Sequence, residues 1–158
     1  MTRGAPVADI VSVSREVAAP PEEVFALVSD LTRMGEWSPE AQGGDWAGAA
    51  DGPAVGAVFR GRNRNGRYRW RTKVVVTEYQ APRRFAFRLD IPLMGGCDWA
   101  YEVEPADGGC RVTESWVDRR TAALKVVGRL FSGVADRATH NRATMERTLD
   151  NLAAAVVA

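Results

Sequence analysis

Apolar and polar residues nearly alternate over residues 9–17, and this period of two predicts a β-strand near the N-terminus. Two prolines and two glutamates follow. Both suit a first helical turn, since proline is tolerated there and acidic side chains are favourable at its positive end. We therefore predict a short helix over residues 22–29 and a second short helical turn over about residues 31–37. Pro39 ends that turn, because the residue before a proline avoids the helical region.

Strands follow, and their turns predict how they pair. The dipeptide Asn65-Gly66 suits a two-residue hairpin turn, because both of its positions need a positive φ. The register that this turn predicts separates an apolar face from a basic one, as a sheet with one buried face requires. The predicted pairs are Asn63 with Tyr68, Gly61 with Trp70, Phe59 with Thr72, Arg62 with Arg69, Arg60 with Arg71, and Val58 with Lys73.

Two later turns extend the predicted sheet. A turn over residues 80–83 predicts that Val76 pairs with Phe87 and that Val74 pairs with Leu89. A turn over residues 106–109 brings the last two strands together, with opposite charges facing each other across the outer face. Its predicted pairs are Val103 with Val112, Tyr101 with Glu114, Trp99 with Trp116, Glu104 with Arg111, and Glu102 with Thr113.

The same register separates the two cysteines of the chain. It puts Cys110 beside Pro105 and Cys97 beside Asp118. A strand rises ~3.3 Å per residue, so the two thiols lie more than ~20 Å apart. That separation is beyond the reach of a disulfide. We predict that both cysteines are free thiols.

A periodicity near 3.6 predicts a long amphipathic helix over about residues 134–156. The only large apolar surface left to receive it is the inner face of the strands. The side opposite the apolar stripe carries Asp136, His140, Ala143, Arg147 and Asp150, so no catalytic role is expected for His140 on that outer face. The stripe consists of Val134, Ala138, Asn141, Met145, Leu149, Leu152 and Val156.

Composition narrows the class of protein. The chain has 158 residues, which fits one domain over residues 1–158 with a loose terminus over residues 1–8. Two cysteines without metal-ligand spacing predict neither a disulfide scaffold nor a metal site, and no cofactor is expected. A net charge of +1 gives no support for a nucleic-acid partner. No signal peptide and no apolar run near the ~20 residues of a membrane span are present, so we expect a cytoplasmic protein.

Several local strings resemble the SRPBCC superfamily, which includes START domains, the birch-pollen allergen type and the polyketide cyclase/dehydrase families. Together they cover nearly the whole chain. They are Val-Ala-Ala-Pro-Pro-Glu-Glu-Val-Phe (17–25), Ser-Asp-Leu-Thr-Arg-Met-Gly-Glu-Trp-Ser-Pro-Glu (29–40), Pro-Arg-Arg-Phe-Ala-Phe (82–87), Gly-Cys-Arg-Val-Thr-Glu-Ser-Trp (109–116), and Met145-x-x-Thr148-Leu149-x-x-Leu152.

The resemblance implies an α+β helix-grip fold, in which a curved antiparallel sheet of seven strands wraps around a long C-terminal helix. Two short helices would follow the first strand, and a cavity would lie between the sheet and the last helix. Members of this superfamily include carriers, cyclases, dehydratases and oxygenase subunits, so the resemblance does not name one function. The iron ligands of the oxygenase branch have no match here, since the chain has one histidine.

The predicted inner face is rich in aromatic side chains. For any one of them a core position is the simpler interpretation, but three tryptophans in one layer are hard to pack densely, which favours a cavity. We also expect Trp37 to plug the core and residues 119–133 to form a short helix that caps the cavity mouth. The predicted ligand-binding residues are Glu40, Trp46, Phe59, Asn63, Trp70, Thr72, Phe87, Trp99, Tyr101, Glu114, Trp116, Asn141 and Met145.

Glu114 is the sharpest candidate for chemistry. It stands on the aromatic face opposite Tyr101, where the alternation expects an apolar residue. A buried carboxylate must be paired or protonated. One interpretation is a hydrogen bond to Tyr101 that only joins two strands; the other is a polar anchor, or a general acid or base with a raised pKa. Asn141, which interrupts the helix stripe, is the second candidate.

Three functions stay open from the sequence. The leading one is binding or transport of a small hydrophobic or aromatic ligand, since only Glu114, with Tyr101 beside it, can be named as an acid or base. The second is a polyketide cyclase or dehydratase in which one of these two residues transfers a proton. The third is an interaction module that uses the Arg-rich face, an outer surface with no acidic residue from Gly52 to Thr77. This face comprises Arg60, Arg62, Arg64, Arg67, Arg69, Arg71 and Lys73, extended by Arg84 and Arg88.

Overall fold

The computed structural model describes residues 9–156, so the predicted loose terminus, residues 1–8, lies outside the described residues. Strands contribute more residues than helices, with short helices after the first strand and longer helices at the C-terminal end. The strands are β1 (Ile10–Val17), β2 (Ala41–Trp46), β3 (Val58–Asn65), β4 (Tyr68–Gln80), β5 (Arg84–Ile91), β6 (Gly95–Ala106) and β7 (Gly109–Asp118). The helices are α1 (Pro21–Val28), a 3₁₀ helix (Leu31–Glu36), α2 (Ala122–Ser132) and α3 (Arg137–Val156).

All seven strands form one antiparallel sheet in the order β1-β7-β6-β5-β4-β3-β2. Each strand from β2 to β6 pairs with the next one along the chain, and β1 completes the sheet by pairing with β7. The sheet curves around α3, which packs against β1 and β7. This is the predicted α+β helix-grip fold. Within residues 9–156, no helix is long and apolar enough to cross a lipid bilayer.

The register of the later strands agrees with the sequence. Val76 lies opposite Phe87 and Val74 opposite Leu89, as the turn over residues 80–83 predicts. All of the pairs predicted between β6 and β7 are present as well. Both thiols are therefore far apart on the last two strands, and both cysteines are buried and free.

The predicted register of the β3–β4 hairpin is wrong by two residues. Asn65 pairs with Tyr68 and Asn63 with Trp70, so the connecting residues are Gly66 and Arg67. Gly66 has a φ of +58°, and a glycine at the first connecting position suits a type II′ turn. A shift by two residues leaves every side chain on its predicted face. The remaining observed pairs include Gly61 with Thr72, Phe59 with Val74, Arg62 with Arg71, Arg60 with Lys73, and Val58 with Val75.

Helix α3 begins at Arg137, three residues later than predicted. The carboxylate of Asp136 accepts a hydrogen bond from the backbone N–H of Thr139 at 3.1 Å, which is the contact of an N-cap residue. Val134 is buried in the connection before the helix. Met145 and Leu149 are each 1% exposed. Burying a side chain of this size contributes about 1.5–3 kcal/mol, so this stripe fixes the helix on the sheet.

Trp37 follows the 3₁₀ helix and is buried, as predicted for a core residue. Its indole N–H donates to the sulfur of Met34 at 3.2 Å. Its backbone carbonyl accepts a hydrogen bond from the side-chain amide of Asn151 at 2.9 Å. This hydrogen bond joins the residue after the 3₁₀ helix to α3. The chain then continues into β2, which lies beside the cavity described below.

Candidate ligand cavity

A cavity of about 610 Å³ lies between the inner face of the sheet and the helices α2 and α3. Its walls are mainly apolar, because alternate residues of β3 to β7 point toward α3. The cavity is lined by these residues from the predicted set: Glu40, Phe59, Asn63, Trp70, Thr72, Phe87, Trp99, Tyr101, Glu114, Trp116 and Asn141.

Two residues of the predicted set do not line the cavity. Trp46 lies near the end of β2 and packs edge-on against Phe59, with ring centroids 5.1 Å apart, so it stands beside the wall rather than in it. Met145 belongs to the hydrophobic core under α3 and is 1% exposed. Met145 does not line the cavity because the helix stripe continues past the cavity into packed core, and its role in ligand binding stays a prediction.

The tryptophan pair at the centre of the wall comes from the β6–β7 register. Trp99 and Trp116 lie directly opposite each other, with ring centroids 6.4 Å apart and planes tilted by 46°. Trp116 is 2% exposed, whereas Trp99 is only half-buried. Both rings line the cavity, but Trp116 is almost fully enclosed by its neighbours, whereas Trp99 keeps part of its surface accessible.

Glu114 and Tyr101 form a buried polar pair in this apolar wall. The hydroxyl of Tyr101 donates to Oε1 of Glu114 at 2.9 Å, as the strand pairing predicts. Among the described residues, Oε2 of Glu114 is the buried side-chain oxygen or nitrogen without a hydrogen-bond partner. A buried acceptor or acid without a partner is costly unless a ligand or water satisfies it.

Burial controls the charge of this pair. Desolvation raises the pKa of Glu114 to about 8, and the hydrogen bond from Tyr101 only partly opposes it. Desolvation, with the adjacent carboxyl, also raises the pKa of Tyr101 well above its usual value. Both groups are therefore mainly neutral at pH 7. A protonated Glu114 can donate a hydrogen bond from its carboxyl group to an acceptor in the cavity.

A second polar cluster, which the sequence analysis missed in part, lies at the α3 side of the cavity. Arg137 donates from Nη1 to Oε1 of Glu40 at 2.8 Å and from Nη2 to the hydroxyl of Ser132 at 2.6 Å. Glu40 also contacts Nε2 of His140 at 2.6 Å through its other oxygen. The cluster joins the segment before β2 to the end of α2 and the start of α3.

The structure corrects the expected position of His140 and adds Arg137 to the residues of the helix stripe that line the cavity. The side chain of His140 is 27% exposed and bound to Glu40, so it does not lie on a solvated outer face. Arg137 precedes the buried Asn141 by one helical turn, with Nη1 3.5 Å from Oδ1 of Asn141. Extending the stripe backward by four residues from Asn141 would have found Arg137, but the interaction with Glu40 depends on tertiary contacts.

Helix α2 covers one side of the cavity and agrees with the predicted short capping helix. The hydroxyl of Thr121 caps its start, and Gly133, with a φ of +70°, ends it. Leu124 and Val127 face the cavity, whereas Val126 and Leu130 are exposed at 61% and 71%. A role for α2 as a moving lid stays a prediction.

The Arg-rich face lies on the outer side of the sheet, as predicted. Arg84 is paired with Glu78 and Glu102, and Arg88 is paired with Asp98 at 2.7 Å. Across the hairpin, like charges stand opposite each other in the Arg62–Arg71 pair, although Arg62 also contacts the carboxylate of Asp45 at 3.4 Å. Such pairs are destabilising unless solvent or a partner screens them. An interaction role for this face stays a prediction.

Sequence comparison assigns the family. The model of the family described as "Polyketide cyclase / dehydrase and lipid transport" matches residues 9–157, nearly the whole chain. The chain belongs to this family, which confirms the resemblance to the SRPBCC superfamily. No curated protein sequence matches the chain at a significant level.

Solved structures of other proteins share this fold. The Polyketide_cyc-like protein Cgl2372 from Corynebacterium glutamicum is 30% identical over 97% of this chain and 85% of its own, with a TM-score of 0.51. Protein CV1439 from Chromobacterium violaceum is 15% identical over 92% and 96% of the two chains, with a TM-score of 0.67. The two-domain ARO/CYC protein StfQ of the steffimycin biosynthetic pathway reaches a TM-score of 0.70 at 13% identity, over 94% of this chain and 50% of StfQ.

Proposed function

We propose that this protein binds or carries a small apolar or aromatic molecule in the cavity between the sheet and α3. The observation that carries the proposal is the cavity itself, about 610 Å³ in volume with aromatic walls. Ligand sites are typically clefts of about 300–1,000 Å³ with mainly apolar walls and a few polar groups. The description of the family includes lipid transport, which is consistent with a carrier.

The polar groups of the cavity support a ligand with a hydrogen-bonding group. Oε2 of Glu114 has no partner among the described residues, although it is buried. The side-chain amide of Asn63 donates to the hydroxyl of Thr72 at 3.2 Å, which leaves the acceptor oxygen of that amide for another donor. Few, fixed polar groups in an apolar wall orient a ligand without binding it by charge alone.

Native mass spectrometry of the purified protein, before and after mild organic extraction, tests this proposal first. We expect a retained small molecule, or uptake of an aromatic probe by the extracted protein at one molecule per chain. The mass of a retained molecule would narrow the ligand class. A protein that carries nothing and ignores a panel of fluorescent lipids and aromatics would contradict the proposal.

A second candidate is an enzyme that transfers a proton on an aromatic polyketide-like substrate. The specific observation is the mainly neutral carboxyl of Glu114, which is hydrogen-bonded to Tyr101 through one oxygen only. A carboxyl with a pKa near working pH is suited to general acid or base catalysis. StfQ, of similar fold, is described as an ARO/CYC protein of a biosynthetic pathway.

Substitution of the two residues separates the candidates. If the protein is an enzyme, Glu114→Gln abolishes turnover, because the amide cannot exchange a proton in the same way, while Tyr101→Phe has a smaller effect. If it is a carrier, both variants keep ligand binding within a few fold. Turnover that is unchanged in Glu114→Gln would remove Glu114 as the catalytic residue.

A further inference from the structure

Arg137 is one of five arginines that line the mainly apolar cavity. Of the other four, Arg62, Arg69 and Arg71 belong to the Arg-rich face, and Arg120 is bound through Nε and Nη2 to the carboxylate of Asp118. Its side chain is only 13% exposed and lies over the ring of Trp70, with Cζ 5.7 Å from the ring centroid. Arg137, Trp70 and Ser132 all line the cavity. A guanidinium in such a place is fixed by its neighbours and is not a mobile surface charge.

The hydrogen bonds of Arg137 leave donors unused. A guanidinium has five N–H donors. Nη1 contacts Glu40 and Asn141, Nη2 contacts Ser132, and within residues 9–156 Nε donates no hydrogen bond. The N–H of Nε and one N–H of Nη2 therefore remain. When they lie on the same edge of the guanidinium, two such donors match the two oxygens of an anion.

The charge of the cluster is also incompletely balanced around Arg137. Glu40 is the carboxylate paired with Arg137 among the described residues, and it divides its two oxygens between Arg137 and His140. The other carboxyl in the cavity wall, Glu114, is held mainly neutral by burial. An anionic group bound to Arg137 would therefore be repelled by one carboxylate, that of Glu40, which is shared with His140, and not by several negative charges.

We propose that Arg137 binds an acidic oxygen group, such as a carboxylate, of a ligand whose apolar or aromatic body fills the cavity. The inference rests on the proposed function and names the ligand class for the same site. The aromatic walls then bind the body of the ligand, and Arg137 fixes its acidic end near the start of α3. The ring of Trp70 holds the guanidinium by a cation–π contact, so that its free N–H groups stay available to the anion.

Two fluorescent probes that share one aromatic skeleton test this assignment. 1-Anilinonaphthalene-8-sulfonate carries an anionic group, and N-phenyl-1-naphthylamine lacks it. Displacement of the bound amine by the sulfonate would show that both probes compete for one site. We expect Arg137→Gln to lower the affinity for the sulfonate roughly tenfold or more, because a hydrogen bond to a charged group is lost. The affinity for the neutral amine should change less than about twofold.

A matched control is Arg142→Gln, which removes an exposed arginine from the same helix and should change neither affinity. Glu40→Gln gives a test of opposite sign. It removes the carboxylate that competes for Arg137, so the affinity for the sulfonate should rise while that for the amine stays constant. A merely structural role of the cluster would instead lower both affinities. Circular dichroism of each variant checks that the fold is retained.

The outcomes separate this inference from the proposed function. If both probes bind but Arg137→Gln lowers the two affinities equally, or lowers neither, the acidic-ligand assignment is wrong and the cavity proposal remains. If neither probe binds the wild-type protein, the cavity proposal fails and the assignment fails with it. If Arg137→Gln selectively lowers the affinity for the sulfonate and Glu40→Gln raises it, both the cavity proposal and the acidic-ligand assignment are supported.

Discussion

At the scale of single residues, the buried carboxyl of Glu114 links the stability of the fold to pH. Its pKa is about 8 in the folded protein and near the ordinary value of 4.5 in the unfolded chain. Between these values the unfolded chain has lost the proton while the folded protein keeps it. The free energy of unfolding therefore falls as the pH rises from about 4.5 to about 8, by at most about 1.4 kcal/mol per pH unit from this group.

Glu114→Gln tests this linkage. Glutamine does not titrate, so the variant should gain stability relative to the wild type as the pH rises through that window and change little outside it. Its side-chain oxygen can still accept the hydrogen bond from Tyr101. Urea unfolding at pH 4.5, 6, 7 and 8 measures the difference. A constant difference between the two proteins over this range would mean that Glu114 is ionised in the folded state.

The paired tryptophans predict two different costs of truncation. Trp116 is 2% exposed and enclosed by the fold, so Trp116→Ala should destabilise the protein by about 3–5 kcal/mol. Trp99 lines the cavity and is half-buried, so Trp99→Ala should cost less and should weaken ligand binding while the protein stays folded. Chemical unfolding and probe titration of both variants measure the two effects. Equal destabilisation would show that Trp99 is core rather than cavity wall.

At the scale of elements, two glycines of α2, one inside the helix and one that ends it, have different tolerances for a side chain. Gly133 has a φ of +70°, and an added Cβ would lie 2.7 Å from Cδ2 of Tyr68. Gly128 lies inside the helix, and an added Cβ would only meet Nη1 of Arg120 at 3.6 Å. The first site is strained for any other residue and the second is open.

Gly133→Ala should therefore destabilise the protein by about 1–2 kcal/mol, and Gly128→Ala should stabilise it by up to about 1 kcal/mol, since alanine favours a helix interior. Thermal unfolding of both variants gives the sign of each effect. Two changes of the same sign would mean that the end of α2 is not held in the described conformation. Binding of a probe to each variant would show whether the strain reaches the cavity.

Most of the elements were accessible from the sequence because they have a local signature; β2, which contains two adjacent glycines, does not. The alternation of β1, the turns at residues 80–83 and 106–109, and the stripe of α3 are set by neighbouring residues, and the structure confirms them. The predicted register of the β3–β4 hairpin was shifted because a turn at Asn65-Gly66 and a turn at Gly66-Arg67 both contain the glycine. Both turns also leave the side chains of the two strands on the same faces of the sheet. The start of α3 was missed because the cap of Asp136 was not recognised.

At the scale of the whole molecule, the candidate site could be predicted only in its sheet-borne part. Alternation along β3 to β7 fixes which side chains face inward, so the aromatic wall and the Tyr101–Glu114 pair follow from the register. The cluster of Glu40, Arg137 and His140 joins residues about one hundred positions apart in the chain. No local pattern encodes that contact, because it depends on how α3 lies over the sheet.

The position of Cys97 makes its thiol a reporter of how often the cavity opens. Cys97 lines the cavity, is 7% exposed and has a pKa raised by desolvation to about 11, whereas Cys110 is buried in the core. Alkylation by iodoacetamide requires the thiolate and access, so both thiols should react slowly in the folded protein. Bound N-phenyl-1-naphthylamine should slow the alkylation of Cys97 more than that of Cys110, as peptide mass spectrometry can measure. Equal slowing at both cysteines would mean that the thiols react only from the unfolded chain. If only Cys97 is slowed, its rate of labelling measures how fast the ligand exchanges from the cavity.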